Sequence, residues 1–461
     1  MDNGSHRDQD RFRRLRDALR HRAPLRDHLD LRPLWRGQAF ERWANAPVTL
    51  RRARALEAVL DQVALPIHPD EIVVGTPQGA LAPALPAGVD SMTYERCAAL
   101  NARIGDRTFI TGCDHLAPDY AHLLAVGWPG LLAEVRASQA RQSEPERSTF
   151  LESVAITLEA AIRYTARWAA ACRAATAATD MPGRDAELLR MAGDLDALTQ
   201  APPATLAQAL QLIWLIHTIY ALEGRGAMAF GRMDQYLYPF YRAALEAGEG
   251  PLARAQLACM WAKLEDPLIP NPVQNIAIGG QTRDGRDASN ALSHLILQVT
   301  GEIVTPRSNL SARLHRGSPR GYLEACCDLI KTGIGFPALF NDEVLVPALV
   351  ALEVTPEDAR DCAFVGCIET FLPGQMPPWS DSRFNLLQCV DRALRNGVDG
   401  LDGVQRGVAT GAPACLATFE AFMEAYRAQL RHMVAQHCAT INARMQVVAE
   451  QYTSPFLSAL V

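Results

Sequence analysis

Residues Leu206 to Tyr220 limit the fold most tightly. They read as an almost wholly apolar helix. A surface helix keeps one polar face, so a helix apolar all round is a buried one. It needs other elements packed around it, and hence a large fold. The chain can supply one: its 461 residues are 49% hydrophobic and 21% charged, an ordinary globular balance. Length alone suggests about three domains, although single large barrels also reach this size.

The formal net charge is −6. Nothing in that balance points to nucleic acid or to an anionic membrane surface. Met1 to Arg20 is charged throughout and carries no apolar core, so it does not read as a signal peptide. No apolar run reaches the roughly eighteen residues of a membrane span. The eleven cysteines are scattered, with one adjacent pair, Cys326-Cys327, and no C-x-x-C. Neither a disulfide framework nor a structural zinc site is expected. Reduced thiols fit a cytoplasmic protein.

Along the chain, helices are expected over Arg11 to Arg26, Leu50 to Val63 and Ser148 to Thr179. His68 to Gly75 reads as a turn and a short strand, and residues 76 to 90 as a loop. From Pro267 the texture changes. Short strands at Asn275 to Gly280 and Asn309 to Leu314 alternate with helices at Ala288 to Val304, Arg320 to Thr332 and Asp342 to Val354. That alternation argues an α/β architecture, most simply a barrel. One or two long helices over residues 412 to 452 close the chain.

The chemically loudest segment is Asp361 to Thr370. A short apolar run ends in Gly366, followed by Cys367 and Glu369. On extended backbone, residues two apart share a face. A negative carboxylate disfavours the thiolate of a neighbouring thiol, which counts against papain-like chemistry. The pairing suits a sulfur that exchanges a hydrogen atom beside a carboxylate that moves a proton. Taken alone, however, a cysteine after glycine in an apolar run is more often a small core residue.

Gly366-Cys367-Ile368-Glu369, preceded by Glu357 to Asp361, resembles the thiyl-cysteine loop of glycyl radical enzymes of the pyruvate formate-lyase family. Further segments resemble family signatures in the same order: Phe230 to Tyr241, Ile278-Gly279-Gly280 with Asp284-Gly285 and Asn290, Gly333 to Val344, and Phe384-Asn385 with Asn396-Gly397. The resemblance covers nearly the whole chain. It implies a helix-rich α/β fold, the first half of a ten-stranded barrel surrounded by helices. The helical part would run to about residue 265, and barrel strands and cysteine loop from about 266 to 461.

Pyruvate formate-lyase itself uses two adjacent cysteines at the loop tip. Gly366 stands at the first of those positions, which turns the resemblance toward the dehydratase, choline-lyase and decarboxylase branches. There Cys367 would take a hydrogen atom from substrate and Glu369 would act as general base. Cys113 to Tyr120 is similar to the family's His-x-x-Pro-Asp-Tyr segment, so His115 would contact substrate. Asp381 stands where the diol-dehydratase branch places a substrate-binding aspartate. Gly226-Ala227-Met228-Ala229 departs from the serines usual before Phe-Gly-Arg, which puts a glycerol-like substrate in doubt. The family also carries its radical on a C-terminal glycine, installed by a radical S-adenosylmethionine activase. The last glycine here is Gly411, and no Arg-Val-x-Gly occurs. The expectation is a homodimeric cytoplasmic lyase or dehydratase acting on a small polar molecule, with no bound cofactor or metal. A half barrel would leave a sheet edge and an apolar face uncovered. A second chain carrying the glycine loop would complete it; the alternatives are pyruvate formate-lyase (formate C-acetyltransferase) activity and a truncated or scaffold subunit with no catalysis.

Overall fold

The computed structural model describes residues 3–21, 27–104, 115–179, 181–269, 273–377, 384–451 and 453–460. They form two compact units. One comprises Met1–Asp106, Cys113–Trp379 and Thr453–Val461; the other comprises Arg107–Gly112 and Ser380–Tyr452.

The first unit is rich in helices. The apolar helix runs Leu206–Glu223, and every residue from Ala209 to Leu222 is buried. Thr205 caps its start by accepting from the Gln208 amide, and Gly224, at φ 94°, closes its end in the left-handed conformation. Gln211 and Trp214 on this helix, and Lys263 from a neighbouring one, bind the backbone of residues 73–75. The Gln211 side chain accepts from Val74 N at 2.9 Å and donates to Val74 O at 2.8 Å. Trp214 Nε1 donates to Gly75 O at 2.9 Å, and Lys263 Nζ to Val73 O at 2.7 Å. These side chains take the backbone groups that a sheet partner would use, so the strand expected near Ile72 to Gly75 does not form. The long helix Pro145–Thr176, with proline in its first turn, packs against Val48–Gln62 and Arg184–Leu198.

Seven short strands are described. β1 (Leu29–Asp30) pairs antiparallel with β2 (Leu81–Ala82). β3 (Ile276–Gly279), β4 (Leu310–Leu314) and β5 (Ala338–Asn341) form a parallel sheet in that order. The helices Ala291–Ile303 and Arg320–Ile330 make its crossovers, as parallel neighbours require. β6 (Ala363–Val365) and β7 (Glu369–Phe371) form an antiparallel hairpin. Parallel bridges Leu116↔Met228 and Gly231↔Ile276 extend the sheet, giving five parallel extended segments side by side. Two of the five come from before residue 266. β5 has no partner on its other side among the described residues. Leu339 on β5 is 45% exposed, and Val344 and Leu352 beyond it 66% and 75%.

Small residues decide where the hairpin lies. Ala117 and Ala229 pack against Val365 and Phe371, and Ala277 packs against Ala363 and Phe364. Three alanines on adjacent segments leave a trough shallow enough for a hairpin to lie on the sheet. In the second unit, Leu386–Leu394 packs on the long helix Phe419–Gln451. Its loop is tied by Gln429, which donates to Val408 O at 2.6 Å and accepts from Val408 N at 3.2 Å.

Candidate active site

The hairpin tip carries the candidate chemistry. Cys367 and Glu369 do not sit on one extended run, as the alternation argument expected. Gly366 has φ +55°, and residues 366–368 form a turn. Cysteine and glutamate meet through hydrogen bonds instead: Glu369 Oε2 accepts from Cys367 N at 2.7 Å and from Ile368 N at 2.9 Å. The carboxylate therefore caps the turn that presents the thiol. Cys367 is exposed at the tip. Cys362, at the root of the same hairpin, is buried, and burial pushes its thiol up. Of these two, only the tip cysteine is exposed.

His115 joins this pair from the first of the parallel segments. It is 5% exposed, and its Nε2 lies 3.8 Å from Glu369 Oε1. Glu369 thus spends one oxygen on the loop backbone and turns the other toward the imidazole. Gly366 makes that approach possible. A Cβ there would lie 2.3 Å from His115 Cδ2 and Nε2 and 2.7 Å from Glu369 Oε2. Any side chain here would force His115 or Glu369 to shift. Asp381 lies outside the described residues, as does Cys113 of the histidine segment.

Two asparagines not picked out from sequence also belong here. Asn275 and Asn309 immediately precede the neighbouring strands β3 and β4. Asn275 is wholly buried; its Nδ2 donates to Ser311 Oγ at 3.0 Å, and its Oδ1 has no partner among the described residues. Asn309 Nδ2 donates to Gly366 O at 2.5 Å and to Cys367 O at 3.3 Å. A polar residue just before an apolar strand was the available signal, but it reads equally well as a turn residue.

Two arginines hold the root of the hairpin. Arg313, fully buried, binds Asp342 through Nε and Nη2 at 2.8 and 2.9 Å. Its Nη1 donates to Arg360 O at 2.8 Å and Cys362 O at 2.6 Å. Arg232 adds bonds to Arg360 O at 3.0 Å and Gly279 O at 2.9 Å. A cavity of about 420 Å³ opens at this root, bordered by Tyr120, Phe230, Arg232, Asp361 and Pro373. Cys367, Glu369 and His115 do not line it.

Comparison with known proteins bears on the fold and the family. Residues 87–461 match the pyruvate formate lyase-like family. The chain is 34% identical over 356 residues to the probable dehydratase YbiW of Escherichia coli (strain K12), covering 70% of this chain and 43% of that protein. It is 32% identical over 410 residues to isethionate sulfite-lyase of Desulfovibrio desulfuricans, covering 83% of this chain and 49% of that one. It therefore spans about half the length of the curated relatives it matches. A solved structure concerned with 1,2-propanediol dehydration in Roseburia inulinivorans superposes with TM-score 0.87 at 27% identity, covering 98% of this chain and 65% of that one. With the matched residues embracing the sheet, the hairpin and its cysteine tip, the chain belongs to the pyruvate formate lyase-like family of glycyl radical enzymes.

Proposed function

We propose that this chain carries the cysteine loop of a glycyl radical lyase or dehydratase for a small polar, hydroxylated substrate. The observation that carries the reading is the tip itself: an exposed thiol, a carboxylate with one oxygen on the loop backbone, and a buried imidazole 3.8 Å from its other oxygen. A thiyl radical at Cys367 removes a hydrogen atom from a substrate carbon, giving thiol and carbon radical. Glu369 takes the proton of the hydroxyl on that carbon. The group on the neighbouring carbon then leaves, as water when His115 supplies its proton. The product radical takes the hydrogen atom back from Cys367, which restores the thiyl. Asn275 Oδ1, buried without a partner, suits a hydrogen bond from a substrate donor. Asp381 remains a proposed further substrate contact.

The thiyl needs a radical source, which in this reading is a glycine charged by a radical S-adenosylmethionine activase. In this reading that glycine lies in the part of the relatives' length that these residues do not span. The open edge of β5 and exposed Leu339, Val344 and Leu352 are the surface that part would cover. The full assembly is proposed to work in the cytoplasm as a homodimer.

The test treats the full-length protein carrying this cysteine loop with the activase without oxygen, then follows the glycyl radical by electron spin resonance and substrate loss by chromatography. Cys367→Ala should keep the glycyl signal and abolish turnover. Turnover surviving in that variant would overturn the reading and leave a scaffold role. An acyl-transfer reaction is disfavoured by the space at Gly366, which has no room for a second cysteine.

A further inference from the structure

We infer that Asn309 is a positioning residue for the cysteine loop, acting through its side-chain amide rather than its backbone shape. Asn309 stands at φ 36° and ψ 55°, immediately before β4. Asparagine tolerates the left-handed region, so conformation alone could explain it. The side chain says more. Its Nδ2 reaches two successive carbonyls of the loop, Gly366 O at 2.5 Å and Cys367 O at 3.3 Å. Glu369 Oε2 accepts the Cys367 and Ile368 amides at 2.7 and 2.9 Å. Cys367 is therefore held by its carbonyl through Asn309 and by its amide through Glu369.

The same strand grips the other end of β6. Arg313, four residues after Asn309, binds Cys362 O at 2.6 Å, and Cys362 lies four residues before Gly366. Four residues on β4 thus match four on the hairpin arm, running in opposite directions. Asn309 and Arg313 together fix where along the trough the hairpin sits, and so where the thiol stands relative to His115. Without the amide donors the tip loses its anchor, and the Glu369 cap loses the geometry that turns its other oxygen toward His115.

Its functional meaning rests on the reading of Cys367 as the reacting thiol, but its test does not. Amide hydrogen exchange is measured by mass spectrometry on the full chain and on Asn309→Gly and Asn309→Asp. Glycine keeps the left-handed backbone and lacks the donors; aspartate keeps the shape and lacks them too. Both variants should exchange about tenfold faster in the peptide spanning Phe364 to Thr370, with β3 unchanged. Wild-type exchange at the tip in either variant would overturn the inference. So would acceleration spread equally over β3, which marks a general structural role. If one variant fails to fold, the other still decides. Inactivity of Cys367 in the turnover assay would remove the proposed chemistry and leave this result standing.

Discussion

Replacing Gly366 with alanine probes the contact on which the tip depends. Two costs arise. A Cβ at φ +55° puts an L-residue in the left-handed region, at about 1 kcal/mol. The Cβ also lands 2.3 Å from the His115 ring, far inside contact distance. His115 is 5% exposed and cannot swing into solvent, so the loop or the ring must shift. Overpacking of this kind costs about 2 kcal/mol. The sum is about 3 kcal/mol. Gly333→Ala supplies the control: its φ is +81°, and a Cβ there meets nothing within 4 Å. It carries the conformational cost of about 1 kcal/mol without the clash. Thermal unfolding of the two variants, followed by far-ultraviolet circular dichroism, should show a drop in Tm about three times as large for Gly366→Ala as for Gly333→Ala. Equal losses would refute the packing of His115 and Glu369 over Gly366, and with it the structural case against a second cysteine there.

Asp342→Ala leaves Arg313 buried without its carboxylate and should cost about 3–5 kcal/mol, read as a lowered Tm and faster proteolysis at the hairpin. Ala229→Leu fills the space that Val365 and Phe371 occupy, so it should cost about 1–3 kcal/mol and speed alkylation of buried Cys362. Burial pushes the Glu187 carboxyl up, but hydrogen bonds from Arg11 and Arg184 outweigh it and hold the group down at about 2. A folded value below the ordinary 4.5 means stability present above pH 4.5 and lost as pH falls toward 2. Glu187→Gln should flatten acid denaturation curves across that window. Burial pushes the His217 imidazole down to about 3, so its ring protons should not titrate in nuclear magnetic resonance spectra between pH 5 and 8.

Much of the local structure was legible in the sequence because short-range rules decide it. The apolar run from Leu206 had one stable solution, and the helix lies buried as its pattern requires. β3 and β4 fall inside the stretches read as strands, bounded by glycine or asparagine. The strand expected at Ile72 to Gly75 failed because its competitors for hydrogen bonds, Gln211, Trp214 and Lys263, are more than a hundred residues away in sequence. The two early segments at Leu116 and Met228 to Gly231 were missed because single-residue bridges leave no periodic trace.

For the site, the sequence by itself determined the ingredients: a cysteine and a carboxylate two residues apart after glycine, and a histidine far upstream. It could not tell a core cysteine from a presented one, since both look alike locally. The tertiary structure decided that. It buries Cys362 and exposes Cys367, folds Glu369 back onto the turn, and brings His115 across some 250 residues to Glu369. It also recruits Asn309, whose role depends on a strand meeting a loop. The physical reason is the same in each case. Period and propensity act between neighbours along the chain, whereas presentation of a thiol depends on which distant backbone groups remain to hold the loop that carries it.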